Sequence, residues 1–241
     1  MKFLSVLIGL MLITSAAGAE PRCFYNDLLD FQYPLPHTEK QLHEGKTFKI
    51  VALGSSSTAG AGASDPSHAY PAQLQAVLQS FLPTHEITVV NRGVNGDMNH
   101  EMLARLQRDV IDEHPDLVIW QLGTNAILTN QVLVQMPVVG QVLWRLRKTK
   151  ADVVMMDPQY SPKVLVQKDY QSALGTIGAF SRVFQINVFR RFELMKYWHD
   201  HEQMAFSDYL NEDRVHLNDW AYSCIALTMA TSILRQVKTP L

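Results

Sequence analysis

Five short apolar runs recur along the chain, each followed by a segment with helical spacing. This alternation constrains the fold more than any other feature. The runs are 48–53, 87–90, 117–122, 153–156 and 183–188. They are apolar nearly throughout rather than at every second position, which marks strands covered on both faces. The helical segments are Tyr70–Phe81, stopping before Pro83; 99–114, with Asn99 as cap and Pro115 closing it; and 129–148, where Pro137 and Gly140 predict a kink or a split. Three more follow at 170–180, 190–201 and 219 to about 237. Strands that alternate with helices give an α/β protein. The expected form is a three-layer, doubly wound, flavodoxin-like parallel sheet of five strands.

The 241 residues suffice for one large core, and no internal repeat divides them. Lys and Arg number 21 against 23 Asp and Glu, so no basic surplus exists to neutralise phosphates, and nucleic acid is not an expected partner. Residues 1–19 have the layout of a secretory leader: Lys2, an apolar run from Phe3 to Ile13, and a small-residue site at Ala17-Gly18-Ala19. No other stretch is apolar and long enough to cross a bilayer, so no stable membrane insertion is expected after leader cleavage, and the location is secreted or periplasmic. Residues 20–46, with Tyr33-Pro34-Leu35-Pro36, read as an extended arm before a domain over 47–241. In an oxidising compartment Cys23 and Cys224 could join the arm to the last helix. Equally, Cys224 could be a small buried apolar residue and Cys23 an exposed thiol.

In doubly wound sheets the site lies beyond the carboxyl ends of the strands. The first such end reads Gly54-Ser55-Ser56-Ser57-Thr58-Ala59-Gly60, a tight turn that can present a serine nucleophile or simply cap a helix. It lacks the Gly-Lys-Ser/Thr of a phosphate loop. The second, Asn91 to Asp97, contains Gly96, whose amide could face a developing oxyanion or merely make a turn. The third, Gly123-Thr124-Asn125-Ala126, offers the Asn125 amide for the same oxygen, or as a cap. The fourth spans Asp157 to Pro162 and carries no assigned role. The loop before the last helix holds Asp213-Arg214-Val215-His216, an acid and an imidazole three residues apart.

Taken singly, each element reads as an ordinary turn or surface feature. Together and in this order, they resemble the SGNH/GDSL hydrolase (esterase–lipase) superfamily over residues 47–237. The family's Gly-Asp-Ser-x-Thr-x-Gly appears as Gly54 to Gly60 with Ser55 in place of Asp. Its second glycine falls on Gly96, its Gly-x-Asn-Asp on Gly123 to Ala126 with Ala126 for the last Asp, and its Asp-x-x-His on Asp213 and His216. Leu217 replaces the Pro that often follows. The choice of Ser56 over Ser55 and Ser57 rests on this resemblance.

The resemblance implies a serine esterase that needs no cofactor and no metal. Ser56, Asp213 and His216 would form the triad, and the Ser56 and Gly96 amides with the Asn125 side chain the oxyanion hole. O-acyl groups on carbohydrate are the substrates it suggests, with short-chain esters and lysophospholipids as competitors. An acyltransferase and an inactive carbohydrate-binding relative are the alternatives. His199 and His201, two apart on a helix, point away from one another and are not expected to share a metal. The aromatics Phe189, Phe192, Tyr197 and Trp198 read first as core and second as a substrate wall.

Overall fold

The apolar runs do come together in one sheet, and its strands feed two separate cores. In the computed structural model, which describes Cys23 and residues 30–237, the strands are β1 (Thr47–Gly54), β2 (Glu86–Gly93), β3 (Leu117–Gln121), β4 (Asp152–Met156) and β5 (Asn187–Phe189). All pair in parallel, in the order β2-β1-β3-β4-β5. This is the doubly wound, flavodoxin-like arrangement expected from the alternation. Successive strand residues point to opposite faces. Ile50, Ala52, Ile119 and Val154 enter one core; Val51, Leu53, Val118 and Met155 enter the other.

Helices cover both faces. The first core is closed by α1 (Pro36–Glu44), α3 (Tyr70–Phe81), α9 (Arg191–Asp200) and α11 (Asp219–Leu234). The second is closed by α4 (Asn99–Leu106), α6 (Val132–Leu146) and α8 (Tyr170–Phe184). Four short helices, α2 (Ser56–Ala59), α5 (Thr124–Leu128), α7 (Pro162–Leu165) and α10 (Phe206–Tyr209), follow strand ends or precede the last loop. Phe189, Phe192 and Trp198 are buried in these cores, which is the packing role expected first. Among the described residues no helix is long and apolar enough to cross a membrane.

Several boundaries depart from the sequence expectations, each for a local reason. The arm expected to be extended over 20–46 contains α1. This helix is held under the sheet's amino edge: the Thr38 amide donates to Asp152 (2.7 Å), and Gln41 and the Lys49 amide donate to Asp116 (2.9 and 2.8 Å). Phe31, Leu35 and Leu42 are buried in the first core, so the arm is part of the packing. Asn99 is not the cap of α4. Met98 is, with its amide donating to Glu101 (2.7 Å), while Asn99 donates to the Gln135 carbonyl (3.0 Å).

The split expected at Pro137 or Gly140 does not occur, since α6 runs through both; the chain is instead divided before it, where Asn130 takes a left-handed φ of 55° between α5 and α6. Pro137 lies on the solvent side of α6, where water can reach the carbonyl that the ring leaves without a donor. The fifth strand was expected over 183–188. Instead α8 continues to Phe184 and ends at Gln185, with φ 54°, and the strand begins only at Asn187. Val183 is β-branched but 77% exposed, so its apolar character is not a burial signal.

Cys23 and Cys224 form a disulfide with 4.9 Å between their Cα atoms and a separation of 201 positions in sequence. The bridge ties the arm to the middle of α11, and of the two readings open from sequence it is the one found. The leader expected over residues 1–19 lies outside the described residues. Closing so long a loop restricts the unfolded chain, and native bridges in secreted domains typically contribute roughly 2–5 kcal/mol. Cys23→Ser should therefore lower the thermal unfolding midpoint relative to the oxidised wild type. Reductant should lower the wild-type midpoint towards that of the variant, as read by circular dichroism.

Candidate active site

The residues singled out at the strand ends converge on one cleft. Ser56, Asn95, Gly96, Asn125, Asp213 and His216 all line a cavity of about 590 Å³, together with Ala61, Leu128, Lys163, Val166, Gln167 and Val215. Ser56 follows β1 as the first residue of α2. Ser55 and Ser57 beside it are each 2% exposed, so only the middle hydroxyl of the three opens to the cleft. His216 Nε2 lies 2.7 Å from Ser56 Oγ. On its other side, His216 Nδ1 makes a very short contact with Asp213 Oδ2.

Asp213 is held by its own loop. Its Oδ1 accepts the backbone amides of Val215 and His216, both at 2.9 Å. Partial burial works against its charge, but the two amides and the imidazole outweigh it and keep the carboxyl below the usual carboxylate range. The arrangement therefore presents an ionised acid, an oriented imidazole and a hydroxyl in sequence.

Gly96 sits on the cleft with a left-handed φ of 86°, a conformation that side-chain-bearing residues rarely adopt. Asn125 uses one amide hydrogen to donate to the Asp97 carbonyl (2.9 Å), which positions its side chain and leaves the second hydrogen for another acceptor. Asn125 thus couples the second and third strand ends directly.

Three residues given no role in the sequence reading shape this geometry. Gln121, 1% exposed at the end of β3, accepts the Ser55 amide (2.9 Å) and the Ser55 hydroxyl (3.0 Å) on one oxygen, clamping the turn before Ser56. Its only sequence signal is a polar residue inside an apolar run. Such a group, once buried, must find partners. Arg105 donates to the Gly54 carbonyl (3.0 Å), the Arg92 carbonyl (2.9 Å) and Asp97 Oδ2 (2.7 Å), joining the first two strand ends. On an amphipathic helix it reads as a surface charge. Gln159, fully buried beyond β4, donates to the Val215 carbonyl at 3.2 Å.

His199 and His201 do not enter the site. His199 contacts the Met204 carbonyl and stacks on Phe206, and His201 stacks on Tyr197. No group of three or more His, Cys, Asp or Glu side chains able to hold a metal is found among the described residues.

Residues 23–239 match the model of the non-GDSL lipase-like family. The chain belongs to this family. The resemblance to SGNH/GDSL hydrolases read from the four motifs is borne out at that level, and the fold agrees with it. Two solved structures share the architecture. A two-domain esterase active on acetylated mannans superposes with a TM-score of 0.72 at 18% identity, covering 87% of this chain and 55% of its own. An acetylxylan esterase from Geobacillus stearothermophilus superposes with a TM-score of 0.62 at 18% identity, covering 80% and 95%. In sequence, an acetylxylan esterase from the same organism is 36% identical over 58 residues, 24% of this chain and 26% of that protein. This chain therefore spans about half the length of the mannan esterase, and its sequence match to the xylan esterase covers about a quarter of that protein.

Just after β4, Asp157 is buried and accepts the Phe192 amide at 2.9 Å. Burial pushes its carboxyl up to about 7, against the pull of that hydrogen bond and of Arg191. A carboxyl raised in the folded state binds its proton more tightly there than in the unfolded chain. The stabilisation is complete below the unfolded value of 3.8 and is lost as pH rises through about 7. Asp157→Asn keeps an acceptor for Phe192 and has no proton to lose. Denaturant midpoints between pH 4 and 8 should fall with rising pH in the wild type more steeply than in this variant.

Proposed function

We propose that this family member is an esterase of O-acyl carbohydrate, acting through a Ser56–His216–Asp213 triad and an acyl-enzyme. The single observation that carries the reading is the 2.7 Å contact between His216 Nε2 and Ser56 Oγ, on a hydroxyl that opens to the cleft. With the ring proton on Nδ1, facing Asp213, Nε2 accepts the serine proton as Oγ bonds to the ester carbonyl carbon. The carbonyl oxygen becomes an oxyanion, met by the Ser56 and Gly96 amides and by the free hydrogen of Asn125. Collapse breaks the bond to the sugar oxygen, which leaves with the proton from Nε2. Water then attacks the acyl-enzyme with His216 again as base, releasing the acid and restoring Ser56.

Acetylated glycan is the substrate class favoured here, because the structural neighbours described above act on acetylated mannan and xylan. The leader-like residues 1–19, together with the disulfide, support a secreted or periplasmic enzyme, since such bridges persist in oxidising compartments. A second reading has one observation behind it. Leu128 and Val166 line the cleft, and Val166 is 76% exposed, a lip that would suit longer acyl chains and lysophospholipids.

Three measurements check this. Hydrolysis of p-nitrophenyl acetate and labelling by a fluorophosphonate should both be lost in Ser56→Ala, and the mapped adduct should sit on residue 56; an adduct on Ser55 or Ser57 contradicts the proposed nucleophile. Asn125→Ala should lower kcat by roughly 100- to 1,000-fold with little change in KM, the usual effect of removing one oxyanion donor. Acetylated xylan and mannan should outperform esters of increasing chain length. The opposite order favours the lipid reading, and acyl transfer to an added alcohol at the expense of hydrolysis would indicate a transferase.

A further inference from the structure

A buried polar network that the reaction itself does not use reaches the cleft lining at Val215 and, through Thr124, the residue before Asn125. Gln159 is at its centre, 0% exposed, on the segment after β4. Its Oε1 accepts two donors at 2.8 Å each: the Thr124 hydroxyl and Arg191 Nη2. Its Nε2 donates to the Val215 carbonyl at 3.2 Å. Arg191, 1% exposed at the start of α9, also donates its Nε to the Asp157 carbonyl at 3.0 Å. A guanidinium is a donor only, so the oxygen end of the Gln159 amide must face it, and the nitrogen end must then face Val215.

Two of the three partners lie next to working positions. Thr124 precedes Asn125 at the start of α5, and Val215 precedes His216 in the loop that carries Asp213. One side chain therefore spans from the oxyanion side of the cleft to the imidazole side, with its orientation imposed by a buried cation. We propose that Gln159 is the positioning residue of this site, setting the distance between the Asn125 donor and the His216–Asp213 loop. Gln121 clamps the serine turn independently, so Gln159 governs the relation of base and oxyanion donor to that turn rather than the turn itself. The role rests on the esterase reading above.

Two variants separate positioning from mere support. Gln159→Glu keeps an acceptor for Arg191 and Thr124 and gains a charge that Arg191 balances, but sets an oxygen against the Val215 carbonyl. Gln159→Met keeps the length and removes all three hydrogen bonds. The expected result on p-nitrophenyl acetate is a kcat for Gln159→Glu lowered by roughly 10- to 100-fold, the scale set by small misplacements of reacting groups, with KM changed by less than about threefold. Its thermal midpoint should stay near that of the wild type, while the midpoint of Gln159→Met falls. If Gln159→Glu does not fold, Gln159→Met assayed well below its own midpoint decides: a comparable loss of kcat supports the role, and full kcat overturns it. An unchanged kcat in folded Gln159→Glu also overturns it, as does a loss of kcat that tracks the fall in midpoint across both variants. A wild-type protein that neither hydrolyses the ester nor reacts with fluorophosphonate is a separate result. It removes the esterase reading and the positioning role with it, before any variant is compared.

Discussion

The turn that follows β1 lies directly against the backbone of β2. A Cβ on Gly93, the last residue of β2, would come within 2.1 Å of the Ala59 amide nitrogen in α2. One on Gly54, the last residue of β1, would come within 2.1 Å of Thr58 Oγ1. The two glycines face each other in the strand register. Their missing side chains allow the short helix that begins with Ser56 to settle at the edge of the sheet. Everything else in the cleft is arranged around that seat.

The sheet's topology supplies the convergence. With β1 between β2 and β3 and all strands parallel, the chain leaves each strand at the same edge, and the direction of winding reverses at β1. The strand ends are then bound to each other by polar side chains rather than by apolar packing. Arg105 joins the first and second, Asn125 the second and third, Gln121 the first and third, and Gln159 the third and the last loop. Buried hydrogen bonds of this kind are directional, so they specify distance and orientation where dispersion contacts tolerate slippage. The proposed nucleophile, base and oxyanion donors come from four distant parts of the chain, and such directional ties keep them at reacting distance.

The opposite edge of the sheet has a different task. There α1 and the arm cover the amino ends of β1, β3 and β4 through Asp116 and Asp152, and the disulfide draws the arm onto α11. Burial raises the Asp152 carboxyl despite its hydrogen bonds from Thr38. The two edges are thereby divided between stability and the proposed chemistry, a separation that lets loops at the cleft vary without disturbing the arm.

Nearly continuous apolar runs separated by helical periodicity leave a chain few options, so the parallel five-stranded fold was legible in the residues alone, as were the four segments that line the cleft. Local rules failed where a side chain's surroundings outweigh its propensity. Val183 has strand character but lies on the exposed side of α8, Asn99 is spent on Gln135 instead of a cap, and the helix in the arm depends on aspartates distant in sequence. Between the three adjacent serines the residues offered no physical choice. Only the folded backbone buries Ser55 and Ser57 and turns Ser56 towards His216. Gln121, Gln159 and the cysteine pair were likewise undecided, because their roles depend on what approaches them from distant parts of the chain. Periodicity is a property of neighbouring residues and is written in the sequence, whereas a hydrogen bond between strand ends exists only once the sheet has brought those ends together.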